Sequence, residues 1–448
     1  MTPPVPGRDR RRPGRSAGFT VLAVTTVVMT ASASAPSPMY PLYRERWGFS
    51  LTMVTVVFAV YVVGLLGALL TLGSLGDRLG RRPVLVAALL LAAVGTAVLW
   101  TANGVPSLVV ARVVQGVATG TATSGLAAGL VEFSPARRPH AGTTVTAVGT
   151  NAGLAAGAAV AGLLAQFVPR PDRYAFSVLT VVLLVLAVLV LRIPETAVPR
   201  AGSPAGSLRA SLRGSLRASL RPRVRVPRGA RHRFLAAVPA LVAGWAVTGL
   251  FLALTPSLVS GVLHVTWGAA GGLDIALLFL AGAVGGMWSV RRTTRSATLL
   301  GAAFLALGAA GLAAAVASAS PVAFWCGTVP AGLGAGLTFN GHLGAIAETT
   351  TADSRSQAFS AVYVVSYLAL SLPSLAAGFL MPSWGLRTTS FVSIGCVGAL
   401  SLTALVHAGR RRPPTGIDTR TPLSNRTGEP PCKPSPSRTA TPASADSP

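Results

Sequence analysis

The sequence predicts an all-α membrane protein: twelve transmembrane helices in two six-helix bundles related by pseudo-two-fold symmetry. Three observations carry this expectation. Apolar stretches long enough to cross a bilayer recur along most of the chain. The arginines gather on one side of those stretches. The two halves echo each other around a long basic connection.

The 448 residues are 51% hydrophobic and only 11% charged, with mean hydropathy +0.60; a soluble domain carries about 25% charged residues. Roughly 20 apolar residues in a helix cover ~30 Å of hydrocarbon. Such stretches occur at 18–36, 51–72, 83–101, 106–130, 142–168, 174–193, 235–259, 269–290, 297–318, 321–346, 357–380 and 386–408.

The formal charge of +26 is distributed for a membrane, not for nucleic acid. Only Arg44, Arg46, Arg170, Arg173 and Arg387 follow odd-numbered stretches. The other side holds the arginines from Arg8 to Arg15, Arg78, Arg81, Arg82, Arg137, Arg138, Arg291, Arg292, Arg295, Arg355 and Arg410 to Arg412. Positive loops stay inside, which makes that side and both termini cytoplasmic in an inner or plasma membrane. Arginines, an apolar run and "ASASA" at 31–35 also have the pattern of a cleaved signal peptide; cleavage would remove the N-terminus that the charge pattern holds inside. Cys326, Cys396 and Cys432 have neither disulfide nor metal spacing.

Five segments follow: a basic tail at 1–17, a bundle at 18–193, a cytoplasmic loop at 194–234, a second bundle at 235–408 and a tail at 409–448. From Arg200 to Arg233 there are ten arginines and no acid. There "SLRA-SLRG-SLRA-SLR" repeats every four residues, a spacing that drifts about 40° per repeat on a helix. Leu208, Leu212, Leu216 and Leu220 thus form a stripe suited to an anionic leaflet; a disordered basic linker is the other reading. Residues 413–448, rich in Pro, Ser and Thr, are too polar to bury a core and are expected to be disordered. Glu132 and Glu348 each close a Gly-rich even-numbered stretch, and two six-span halves joined by an inner loop are a known parallel-repeat plan.

The turn "GSLGDRLGRRPVL" (73–85) concentrates charge and glycine between two apolar runs. Gly73, Gly76 and Gly80 permit a tight reversal. Asp77 is an anion able to face a helix N-terminus or arginines. Gly73, Leu75, Asp77, Arg78, Gly80, Arg81 and Arg82 resemble the major facilitator superfamily motif G-x-L-[AG]-D-R-x-G-R-[KR], at the place between spans 2 and 3 where that family keeps it. Leu108, Arg112, Gln115, Gly116 and Gly120 in span 4 match a second pattern of the family, L-x-x-x-R-x-x-Q-G-x-x-x-G. The resemblance covers residues 18–408. It implies that the turn latches the outward-open state, and that Arg112 with Gln115 serves proton coupling. Arg112 is unusual on energetic grounds alone, since a charge at hydrocarbon depth marks function by default; a structural pair or snorkelling is the alternative.

In span 5, Gly149, Gly153 and Gly157 recur every four residues, a spacing that lets helices pack closely. The stretch resembles the antiporter motif G-x-x-x-G-P-x-x-G-G, with Leu154 at the proline position and Ala158 at the last glycine, so generic packing stands beside it. The second half departs further: Val290 falls opposite Asp77, and Thr328 opposite Arg112. Pro194–Thr196, "PET", also resembles the family.

Tyr61, Asn151, Trp245, Asn340, His342, Tyr363 and Tyr367 are the candidates for a substrate cavity. Asp274, near an end of span 8, is expected to be a solvated cap, with a proton site as the alternative. The chain is expected to be no enzyme, because its five histidines are scattered and no acid cluster exists. No cofactor and no metal are expected. The expected partners are a small-molecule substrate, protons and membrane lipids, with a monomeric chain. The expected function is proton-coupled secondary transport by alternating access, most simply efflux of a drug-like compound or metabolite. Proton-linked uptake of a sugar, organic acid or amino acid is the alternative, and a non-transporting sensor the outsider.

Overall fold

The computed structural model describes residues 14–73, 75–195, 231–349 and 352–410. The side chains of Asp77, Arg78, Asn340, His342 and Glu348 lie outside what is described, as do the Leu208–Leu220 stripe, the 413–448 tail and residues 1–13.

All described secondary structure is helical. The first half contains α1 (Gly14–Ser34), a 3-10 turn (Ser37–Met39), α2 (Tyr40–Trp47), α3 (Leu51–Leu72), the short α4 (Leu75–Leu79), α5 (Arg81–Trp100), α6 (Val105–Glu132), α7 (Ala141–Phe167) and α8 (Pro171–Arg192). The second contains α9 (Arg231–Gly261), α10 (Ala270–Ser289), α11 (Thr294–Ser318), α12 (Pro321–Thr349) and α13 (Ala352–Arg410). Eleven described helices are long and apolar enough to span. The last, α13, holds two spans folded at Gly385, where φ is +76°. Twelve spans result.

Local chemistry sets several boundaries. Ser50 caps α3 by accepting from the Met53 amide at 3.2 Å, and Thr293 does the same for α11. The loop expected between spans 1 and 2 is instead largely helical. Pro36 and Pro38 follow the end of α1, but α2 starts at Tyr40 with Pro41 in its first turn and buries Tyr40 and Tyr43.

The outer surface, like the core, is apolar. Along α8, Val178, Val181, Leu184 and Val188 are exposed, an apolar surface suited to lipid. Along α9, 72% of the span is buried, because this helix stands at the centre and faces the first half. Within the halves α3 packs on α6, α5 on α8, and α12 on both α10 and α11; between them, α7 packs on α10.

Away from the charged turn the two halves are closed against each other. The Thr52 hydroxyl donates to the Gly378 carbonyl at 2.6 Å, and Gln166 Oε1 accepts from the Gly268 amide at 2.6 Å. Gly272 of α10 packs on Ala158 and Gly162 of α7 so closely that a Cβ there would lie 2.9 Å from Gly162 Cα.

Candidate functional site

Three sites emerge: a central cavity, a buried cation beside it, and a charged cluster at the turn.

The cavity, of about 150 Å³, lies between the halves. It lies at mid-depth and extends toward the charged-turn face along α6 and α7. Tyr61, Trp245 and Tyr367 line it, with Phe58 and Phe279. Trp245 meets Tyr367 edge-on, with ring centroids 5.3 Å apart. Tyr363 does not line the cavity; it stacks on Tyr367 at 6.2 Å. Asn151 does not line it either. Its amide nitrogen donates to the Ala147 carbonyl at 3.0 Å, and its Oδ1 faces Gly282 of α10.

Most of the polar lining is threonine, which the sequence reading passed over. Thr26 and Thr30 come from α1, Thr119 and Thr123 from α6, Thr146 and Thr150 from α7, and Thr248 from α9. The first six are three pairs spaced by four, each on one helix face, and that spacing is the signal that could have found them. Every one of these hydroxyls donates to the carbonyl four residues back, at 2.6–2.9 Å. The proton is thereby committed, and the hydroxyl lone pairs remain as acceptors. No charged side chain lines the cavity among the described residues.

Arg112 lies one layer behind. Its side chain is fully buried, at 1% exposure, and does not snorkel. Nη1 donates to the Ala33 carbonyl at 3.0 Å and to Gln115 Oε1 at 3.1 Å. Gln115 Nε2 donates in turn to the Ser32 carbonyl at 3.4 Å. The guanidinium carbon stands 4.2 Å over the Tyr61 ring, so Tyr61 offers its π face and not its hydroxyl. Ser32 and Ala33 belong to the last turn of α1, whose carbonyls have no partner within their own helix. A cation at a helix C-terminus also meets the negative end of the dipole. Among the described residues no carboxylate stands within ion-pair distance of Arg112.

At the turn, Gly80 has φ +98°, a conformation only glycine takes freely, and a Cβ there would lie 2.9 Å from Glu195 Oε2. Glu195, of the "PET" segment, accepts from the Arg81 and Arg82 amides at 2.9 and 3.0 Å and caps the start of α5. Arg81 Nη2 pairs with Glu132 Oε1 at 2.8 Å, and Arg15 donates to the Glu132 carbonyl at 2.9 Å. The turn is thus tied to α6 and to the segment after α8, and α1 is tied to the same end of α6. Gly73 accepts from Ser124 of α6 through its carbonyl at 2.8 Å. Gly116 and Gly120 lie against α3, where an added Cβ would overlap the Tyr61 and Leu65 carbonyls.

One expectation is overturned. Asp274 is no solvated cap: it is 1% exposed, because it sits one turn inside α10, with Gly271 pressed on Pro256 of α9 and Gly272 on α7.

Comparison with known proteins agrees with this architecture. A bacterial homologue of the human lysosomal transporter Spinster, in an inward-facing conformation, superposes with a TM-score of 0.71 at 13% identity. That match covers 89% of this chain and 98% of the other. The xylose transporter XylE from E. coli gives 0.67 at 15% identity, over 90% and 99%. These likenesses show the fold. In sequence, the 4-hydroxybenzoate transporter PcaK of Pseudomonas aeruginosa is 31% identical over 159 residues, 35% of either chain. The ectoine/proline transporter ProP of Corynebacterium glutamicum is 32% identical over 154 residues, 32% of this chain and 29% of its own. The alignments therefore span about a third of the length of these curated relatives. The family model described as Major Facilitator Superfamily matches residues 22–374, which takes in the charged turn, Arg112 and most of both halves. This chain belongs to the major facilitator superfamily of membrane transporters.

Proposed function

We propose that the chain is a proton-coupled secondary transporter carrying a small uncharged or zwitterionic solute across the cell membrane by alternating access. The observation that carries the substrate class is the cavity: threonine acceptors and aromatic faces, with no formal charge in the described lining. Acceptors recognise hydroxyl and ammonium donors, and aromatic faces hold an apolar ring or a diffuse cation. A bare carboxylate would find neither, because Arg112 is spent on α1 behind Tyr61. The relative named for ectoine and proline, both zwitterions, supports this class, whereas the one named for 4-hydroxybenzoate, a carboxylate, supplies the competing solute for the test. Uptake by symport is the leading direction. Efflux is the second reading, favoured by the resemblance of Gly149–Gly157 to an antiporter motif. The bundles at 18–193 and 235–408 are the bodies that rock, and Asp77 is the anion of the latch.

Purified protein in proteoliposomes tests this with labelled xylose, proline, ectoine and 4-hydroxybenzoate under an imposed pH gradient. A neutral or zwitterionic solute is expected to accumulate on the alkaline side, and the 4-hydroxybenzoate anion is not. Accumulation of 4-hydroxybenzoate alone would reject the substrate class, and movement against that direction would make the protein an antiporter. Trp245→Ala removes the central aromatic platform and should cut flux about tenfold, the equivalent of ~1.4 kcal/mol of lost contact.

Orientation has its own check. Cysteines placed in the 194–234 loop should resist impermeant reagents added to intact cells, while those at 264–268 react. The reverse pattern would overturn the assignment of both termini to the cytoplasm.

A further inference from the structure

Asp274 has no place in the mechanism so far. Its carboxylate is buried inside a membrane span, and neither oxygen accepts a hydrogen bond. The Trp325 indole of α12 approaches the carboxylate, without meeting the distance and angle of a hydrogen bond. The helices packed on α10 offer no counter-charge at this level. α7 carries no titratable residue. Arg231, His232 and Arg233 of α9 stand at the far end of that helix, as do Arg295 of α11 and His342 and Glu348 of α12; Cys326 of α12 is exposed, and His264 belongs to the preceding loop. An ionised carboxylate in such a place has lost its water and gained only the approach of one indole, with no counter-charge. A metal cation is no answer, since hard cations take about six oxygens or more and no second acid is at hand. A proton is enough.

The position gives that proton a consequence. Asp274 follows Gly272 by two residues, and Gly272 is in backbone contact with Ala158 and Gly162 across the α7–α10 seam. This seam is part of the closed face, beside the Gln166–Gly268 bond. Rocking the halves so that this face opens must part α7 from α10 and bring water toward Asp274.

We propose that Asp274 is a proton-binding site, and that its protonation is the condition for closing the α7–α10 seam. The carboxylate is hydrated and ionised when the face is open. It takes one proton from that side, and only the neutral acid is carried into the closed seam. Acid on that side therefore favours closure, and alkali favours opening. The inference rests on alternating access, but not on any particular solute.

The test uses the full chain in liposomes, with Cys326, Cys396 and Cys432 replaced by alanine. Ala269→Cys reports on the seam, because Ala269 is buried there and its carbonyl faces Gly162. Thr266→Cys, in the exposed loop, corrects for the reactivity of the thiol itself. The ratio of their labelling rates by an impermeant maleimide should rise with pH. The limit for one linked proton is about tenfold per pH unit. Asp274→Asn should hold the ratio low and flat. Infrared difference spectra of the parent against Asp274→Asn should show loss of a protonated carboxylic acid carbonyl band. If Asp274→Asn does not fold, Asp274→Glu should keep the slope and move its midpoint. A flat ratio in the parent, a slope that survives Asp274→Asn, or spectra with no acid band lost would each overturn the proposal. None of these readouts needs a transported solute. A failed flux assay would therefore reject the transport reading and leave this one standing, and the converse holds.

Discussion

Arg112→Ala is expected to abolish pH-gradient-driven accumulation, and Arg112→Lys to fail nearly as badly. The guanidinium closes the end of α1 through Ala33, holds Gln115 so that it reaches Ser32, and lies flat on Tyr61. Alanine leaves the Ala33 carbonyl and the Gln115 amide oxygen without a donor in a dry interior. Hydrogen bonds to charged groups contribute ~1.5–3 kcal/mol each, so a loss of about 3 kcal/mol of stability is reasonable. Lysine keeps the charge but not the planar fork that donates in two directions while stacking on a ring. Thermal unfolding in detergent and flux in proteoliposomes separate the two contributions. Solute exchange at equal pH should survive in Arg112→Lys better than uphill accumulation does. Exchange and accumulation falling together, in proportion to folded protein, would make Arg112 structural only; wild-type accumulation in either variant would remove it from the coupling altogether.

The contacts of Arg112 also bear on what the sequence could reveal. Its residue type at hydrocarbon depth marks the position as unusual, and its burial follows. The partners were legible in part: Tyr61 and Gln115 are side chains the sequence offers, but the Ala33 carbonyl of α1 is a backbone group that every sequence possesses and none advertises. The spans themselves were legible almost to the residue: 51–72 is α3, and 321–346 lies within α12. Apolar length and sided charge are strong signals, since each span must satisfy the bilayer by itself. The threonine lining was partly legible, in its spacing of four. Asp274 was not: near a helix end, a solvated cap and a buried acid have the same sequence, and only the crossing of α7, α9 and α10 decides between them.

Gly153→Ala and Gly157→Ala are expected to destabilise the protein severely, while Gly149→Ala is expected to be nearly neutral. The three glycines share one face of α7, and the sequence gives no reason to separate them. The packing of α1 does. A Cβ on Gly153 would overlap Thr30 Oγ1 and the Val27 carbonyl, and one on Gly157 would overlap the Ala31 carbonyl and Ser34 Oγ. At Gly149 the nearest atom is Val27 Cγ2 at 3.7 Å, an ordinary contact. Overpacking costs about 1–3 kcal/mol where side chains can yield. Here backbone carbonyls are in the way, and the Ser34 hydroxyl, which bonds the Leu154 carbonyl across the same contact at 2.8 Å, would be displaced. Each of the two variants should therefore lose ~2 kcal/mol or more in detergent unfolding, with Gly149→Ala within about 0.5 kcal/mol of wild type. The same crossing holds Thr30 at the edge of the cavity, so Gly153→Ala should also weaken solute binding in whatever protein remains folded. The opposite ranking would mean that the spacing serves a moving part and not a fixed one. If Gly149→Ala leaves stability intact but stops flux, the antiporter resemblance regains its force, because a glycine with room to spare would then be needed for motion alone.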